Sequence, residues 1–247
     1  MKIHLMYHDI YESNINESGF LRKRDFPYKL SAIKFEEQIR AIKGYCDKKT
    51  KSQIDIVFTF DDGGKSFYNI VAPILEKYGF RGIFFVTTQY IGTKTFLSKD
   101  EIIKLHQRGH IIGSHAHTHE HMYSLSNEEV VKEWQTSIEI LCNILGERIN
   151  HVSIPNGDVS KRVLEAISNN DIQYVYTSKP TTQTKNYKGM EIIGRYVVLS
   201  DSSTEEILSI VSHNLKRFTL YAKYQTLKLI KSVLGSYYVK FKNVIFK

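Results

Sequence analysis

Residues 54–64 read Ile54-Asp55-Ile56-Val57-Phe58-Thr59-Phe60-Asp61-Asp62-Gly63-Gly64. The first seven are mostly β-branched and aromatic, which spells a buried strand. Two carboxylates and two glycines then end it, so the chain places ionisable groups at the C-terminal tip of a core element. Outward from this stretch, Ile3–Tyr7 reads as an earlier strand, and Phe35, Ile39 and Ile42 recur at helical spacing between the two. A helix over Ser66–Tyr78 carries Pro73, and strands follow at Gly82–Thr87 and His110–Ser114. Ser98–Glu101 and Ser126–Glu129 each place a serine three residues before a glutamate, the spacing of a capping box. The second box opens the longest helix, running to Gly146 with Val130, Trp134, Ile138, Leu141 and Leu145 along one stripe. Strands at about 151–155, 173–178 and 191–199 and helices at about 160–168 and 203–212 complete the pattern.

Strands alternating with helices imply βα units, parallel strands and right-handed crossovers. About seven strands fit an open doubly wound sheet or a barrel. No Gly-x-Gly-x-x-Gly follows any strand, which weakens the dinucleotide-binding version. The chemically unusual residues sit just past strand C-termini, where a (β/α) barrel keeps its active site. The expected fold is therefore α/β, a barrel over residues 1–213 followed by a basic extension over 214–247.

Composition agrees with a globular protein: of 247 residues, 42% are hydrophobic and 24% charged. No run approaches the roughly 18 apolar residues of a membrane span, and no secretory leader is evident, so the expected location is cytoplasmic. Cys46 and Cys142 make no disulfide framework and are expected to be buried small hydrophobes. The net charge of +8 is localised: residues 214–247 hold eight basic residues and no acid, leaving the body neutral. Within that segment Phe218, Ala222, Leu229 and Val233 share a helical face, with Lys216, Arg217, Lys223, Lys228 and Lys231 mostly opposite. Gly235 is a suitable stop, and Tyr237–Phe246 alternates like a strand. The segment either packs on the body and solvates its lysines or meets an anionic surface such as a membrane; nucleic acid is not expected.

Adjacent residues of an extended chain point to opposite sides, so Asp61 and Asp62 are expected to play different parts. The second signal is Gly113-Ser114-His115-Ala116-His117-Thr118-His119-Glu120-His121, four histidines in seven residues after a strand. A turn of helix would put His115 and His119 on one face, or equally His117 and His121. Two imidazoles and a carboxylate give a divalent ion three ligands and leave a position open for water. Ser153-Ile154-Pro155-Asn156-Gly157-Asp158 is a turn after a strand, able to aim a backbone amide at a developing oxyanion. Tyr7-His8-Asp9 ends the first strand.

These motifs resemble the polysaccharide deacetylases with a NodB-homology domain, the family 4 carbohydrate esterases. Thr59-Phe60-Asp61-Asp62-Gly63 and His115-x-x-x-His119 match that family's first two motifs in order, and the resemblance runs from about residue 3 to 212. It implies a distorted (β/α) barrel, with Asp61 as general base and Asp62, His115 and His119 holding one divalent ion, zinc before cobalt or manganese. The ion would acidify the attacking water, and Asn156, beside Pro155, would supply an amide for the oxyanion. The family's third motif usually begins with Arg, where this chain has Ser153 and Ile154; its Ser-Ile-Pro-Asn-Gly resembles a subgroup with an aromatic-Pro-aromatic-Gly form. The usual Leu-x-x-His-Asp is replaced by Val211-Ser212-His213-Asn214. In a subgroup acting on biofilm and cell-surface glycans, a Tyr-His near the N-terminus supplies the general acid. Tyr7-His8 resembles it, so His8 is favoured over His213. Arg195 is expected to stand in for the missing arginine, near substrate and in electrostatic support of Asp61. Gly64, often larger in the family, should widen the cleft. The implied activity is removal of N-acetyl groups from an amino-sugar polysaccharide or its cell-surface precursor. A catalytically silent glycan-binding domain and a hydrolase of a non-sugar amide are the competing readings.

Overall fold

The computed structural model describes residues 1–48 and 54–234. Its strands are β1 (Lys2–Tyr7), β2 (Ile10–Tyr11), β3 (Leu30–Ser31), β4 (Asp55–Phe60), β5 (Gly82–Val86), β6 (Ile111–Ser114), β7 (His151–Ser153), β8 (Tyr174–Tyr176), β9 (Lys185–Tyr187), β10 (Met190–Ile193) and β11 (Tyr196–Val197). The helices are α1 (Ala32–Lys48), α2 (Ala72–Lys77), α3 (Lys99–Gln107), α4 (Asn127–Leu145), α5 (Lys161–Ser168), α6 (Thr204–Ser212) and α7 (Asn214–Leu234). Nine strands form one curled sheet in the order β11-β1-β4-β5-β6-β7-β8-β10-β9, and β2 pairs with β3 apart from it. Every pairing in the large sheet is parallel except β9 with β10. The expected barrel is thus present, with nine strands rather than about seven because β9 is an added edge strand and the strand expected at 191–199 divides into β10 and β11.

Strand alternation sorts the side chains into two layers. Ile3, Leu5 and Tyr7 of β1 and Phe58 and Phe60 of β4 join the core under the helices, meeting Phe35, Ile39 and Ile42 of α1. The opposite parity points into the barrel, where Ile83, Phe85, Tyr176 and Ile193 form a small apolar plug and His4 packs edge-on to Tyr176. Both capping boxes form, and Gly146 ends α4 in the left-handed conformation at φ 70°. The helix expected at 66–78 starts instead as a π turn over Phe67–Val71 before α2, with Pro73 in its first turn.

The stretch 191–199 is not one strand. It breaks at Gly194-Arg195, so that β10 pairs with β8 while β11 crosses to β1. A Cβ on Gly194 would stand 2.4 Å from the Lys179 carbonyl oxygen, so only glycine fits. This break bridges the two edges of the curled sheet and turns Arg195 inward. Cys46 and Cys142 are free and half-buried against the core rather than fully buried. No helix among the described residues is long and apolar enough to cross a membrane. Gly235 and the strand expected at 237–246 lie outside the described residues.

Candidate active site

Asp61, Asp62, His115 and His119 meet at the C-terminal mouth of the barrel, in a cavity of about 240 Å³ also lined by His8, Asp25, Tyr28, His121, Asn156 and Ser178. A larger cavity of about 640 Å³ at the other end, around Lys2, His4, Arg81 and Tyr174, contains none of the four.

Asp61 continues the inward parity of β4. Simple alternation would send Asp62 outward, but Asp62 adopts φ 88° and its carboxylate returns to the same mouth. The histidine segment is likewise not a turn of helix. It is a loop with Ala116 and His119 at φ 61° and 65°, and these reversals bring the two rings within 5.1 Å. Glu133, on the buried stripe of α4, holds the loop: it accepts from the amides of His117 and Thr118, both at 2.9 Å, and from the Thr118 hydroxyl at 2.8 Å. Asn156 is a further left-handed residue, at φ 57°. Among the described residues, four of the six non-glycine positions with positive φ therefore build this one mouth, the clustering expected where backbone strain serves a site.

Asp62 Oδ1 lies 3.5 Å from His115 Nε2 and 3.2 Å from His119 Nε2, and the three donor atoms all fall within 4.8 Å of one another. His115 Nδ1 is 2.9 Å from the Ser153 carbonyl oxygen, which can only accept. The proton therefore sits on Nδ1 and Nε2 offers its lone pair to the mouth, the arrangement of a metal-ligating histidine. Burial lowers the His115 pKa to about 4, which keeps the ring neutral. For Asp62, burial pushes upward, but the hydrogen bond and charge of His119, with His8 and His115, hold it well below the usual carboxylate range. A neutral imidazole with a fixed tautomer, a second imidazole and an ionised carboxylate suit a divalent ion of the zinc type.

Asp61 is clamped by Arg195, whose two terminal nitrogens donate to Oδ1 and Oδ2 at 2.6 and 2.7 Å. Ser153 adds a hydroxyl bond to Oδ2 at 3.0 Å and itself accepts from Arg195 at 2.7 Å. Burial alone would raise the Asp61 pKa; the charge and hydrogen bonds of Arg195 outweigh it and hold it at about 2. Arg195 is fully buried at the base of the same mouth, where its guanidinium is hydrogen-bonded to Asp61 and Ser153.

His8 lines the mouth, its ring 4.7 Å from Tyr28, and its Nδ1 is buried with no hydrogen-bond partner among the described residues. Its neighbour Tyr7 points the other way, donating to Gln38 at 3.1 Å. His213 is not brought to the mouth: it is exposed at the end of α6, bonded to Ser212. His117 turns to Thr88 at 2.9 Å, while His121 lines the mouth and pairs with Asp158 at 2.9 Å. Asn156 lines the mouth and Pro155 is buried behind it. Gly64 does not widen the cleft, because a Cβ there would stand 1.8 Å from Asp9 Oδ1; the space is filled by Asp9 and Ser18. Sequence reading missed Ser153, Glu133, Asp158 and the 12–29 loop. That loop brings Phe20 against His119 at 4.9 Å and Tyr28 against His8, with no periodic pattern to reveal it. The one available signal was a carboxylate, Glu133, on the apolar stripe of α4.

Fold and site define a (β/α) barrel protein with three donors grouped so that they could hold a cation, beside a buried, clamped carboxylate at the strand C-termini. The chain belongs to the polysaccharide deacetylase family, whose model matches residues 48–175. It is 27% identical over 149 residues to YxkH of Bacillus subtilis, covering 60% of this chain and 53% of that one. It is also 27% identical over 169 residues to a chitin deacetylase of Arthroderma benhamiae, covering 62% and 45%. It thus spans about half the length of the curated relatives it matches. The deacetylase PplD of Streptococcus pyogenes, solved with acetate, shares the fold at a TM-score of 0.68 and 19% identity, over 85% of this chain and 97% of that one.

Proposed function

We propose that this protein is a metal-dependent hydrolase that removes N-acetyl groups from amino sugars of a polysaccharide or of its cell-surface precursor. The observation that carries this reading is the pairing of two differently held carboxylates: Asp61 clamped by Arg195, and Asp62 facing two histidine nitrogens. Family membership supports the substrate class, an acetylated glycan.

Asp62, His115 and His119 would hold the ion, zinc before cobalt or manganese. A divalent ion there supplies Lewis acidity, polarising the amide carbonyl and making a water acidic near neutral pH. Asp61, kept ionised by Arg195, takes the proton of the attacking water, and its fixed orientation removes the need to reorganise during the reaction. Asn156 stands at the mouth where an amide can meet the oxyanion. His8 delivers a proton to the amine as it leaves. The 12–29 loop, through Tyr28 and Asp25, forms one wall of the mouth.

Acetate release from N-acetylglucosamine oligomers by the metal-reconstituted protein tests the reading. The wild type should release acetate, Asp61→Asn should lose about 10³-fold or more, and His8→Ala about 10²-fold. A metal-loaded protein that binds the oligomers and releases no acetate would instead be a glycan-binding module.

A further inference from the structure

Helix α7 begins one residue after α6 and is anchored by its first turns. Arg217 is buried and donates to the carbonyls of Ile210 and Val211 at 2.5 and 3.1 Å. Lys216 pairs with Glu206 at 2.8 Å, and Leu220 packs against the core. The Tyr221 ring lies 5.2 Å from Lys179 Nζ, and Lys179 follows Ser178, a residue of the catalytic mouth. The helix therefore runs past the mouth side of the barrel. Beyond it, every residue from Gln225 to Ile230 is exposed.

The face turned away from the body is apolar. At 3.6 residues per turn, Leu215, Phe218, Ala222 and Leu229 fall within an arc of about 60°, and no charged residue of α7 lies in the half-circle around it. Leu215 is 73% and Phe218 66% exposed. Lys223 borders one edge of this half-circle and Lys228 the other, both exposed. An apolar stripe flanked by lysines is the pattern of a helix lying in a membrane interface. Charge argues for an anionic lipid surface over a second copy of the chain. The segment 214–247 has eight basic residues and no acid, so self-association on this face would bring two cationic segments together.

We propose that α7 docks the protein on an anionic phospholipid surface, with Leu215 and Phe218 entering the headgroup–acyl boundary and Lys223 and Lys228 lying among the headgroups. The catalytic mouth is then carried beside the membrane, within reach of a glycan that is still lipid-linked. The docking does not depend on the chemistry at Asp61.

The test is co-sedimentation of the full chain with vesicles of phosphatidylcholine alone and of phosphatidylcholine mixed with phosphatidylglycerol. Binding should require phosphatidylglycerol and weaken with added salt. It should fall about tenfold in Phe218→Glu and about fivefold in each of Lys223→Gln and Lys228→Gln. Melting temperatures should hold, because all three side chains are exposed. No binding, equal binding to both vesicles, or unchanged affinity in the variants would overturn the proposal. So would a lipid-free dimer in sedimentation velocity that Phe218→Glu dissociates, which would assign the face to a second copy.

Discussion

Asp61 and Arg195 form a fully desolvated pair, and removing one partner leaves the other buried without compensation. Arg195→Met should therefore cost about 3–5 kcal/mol in urea unfolding. It should also raise the Asp61 pKa, because the remaining influence of burial is upward, and move the acid limb of kcat/KM to higher pH. In the wild type the sign is fixed by the depressed pKa. The stability Asp61 contributes is present above its ordinary value of 3.8 and is lost as pH falls toward about 2. Asp9 has the opposite sign. It is buried beside Gly19 and Gly64, and burial raises its pKa to about 6, against hydrogen bonds from Ser18 and Ser66. Its contribution is full below 3.8 and is lost as pH rises through about 6. Asp9→Asn should thus be more stable than wild type at pH 8 by about 3 kcal/mol and little different at low pH, as urea melts at both pH values would show. At this scale the sequence revealed residue types better than conformations. Asp61, Asp62 and the histidine cluster stand out by chemistry and spacing, while the choice of His115 and His119 over His117 and His121 comes from the family resemblance alone. The left-handed backbone at Asp62, Ala116 and His119 left no periodic trace, which is why a helical turn was expected where a loop exists.

Among the elements, α4 does more than cover the sheet. Its Glu133 accepts three hydrogen bonds from the loop that carries His115 and His119, so it fixes the position of these side chains without touching the proposed cation site. Glu133→Gln keeps the side-chain shape but replaces one acceptor with a donor. Zinc affinity by calorimetry should weaken about 10- to 100-fold while far-UV circular dichroism is unchanged. The break between β10 and β11 has a comparable positioning effect. Gly194→Ala would press against the Lys179 carbonyl, displace Arg195 from Asp61 and cost about 1–3 kcal/mol. Strand and helix order was legible because burial imposes periods of two and 3.6 along the chain. The break was not, since Tyr196 and Val197 continue the apolar character of β10 and only the pairing partner changes.

For the molecule as a whole, the barrel and the basic segment are less separable than a boundary at residue 213 suggests. Arg217 caps the end of α6, and Leu220 lies on the core. A chain ending at residue 213 would leave the Ile210 and Val211 carbonyls without that donor. It should be less stable by about 1–3 kcal/mol in urea unfolding. The charge asymmetry of the segment was visible from composition, whereas the direction its apolar face takes required the packing of α7 on α6. Whether the mouth of this barrel is a working metal site can be read from the metal content of the purified, reconstituted protein beside Asp62→Ala and His119→Ala. About one divalent ion per wild-type chain, lost from both variants, is the expected result. A wild type that retains no ion after exposure to zinc, cobalt and manganese would contradict it.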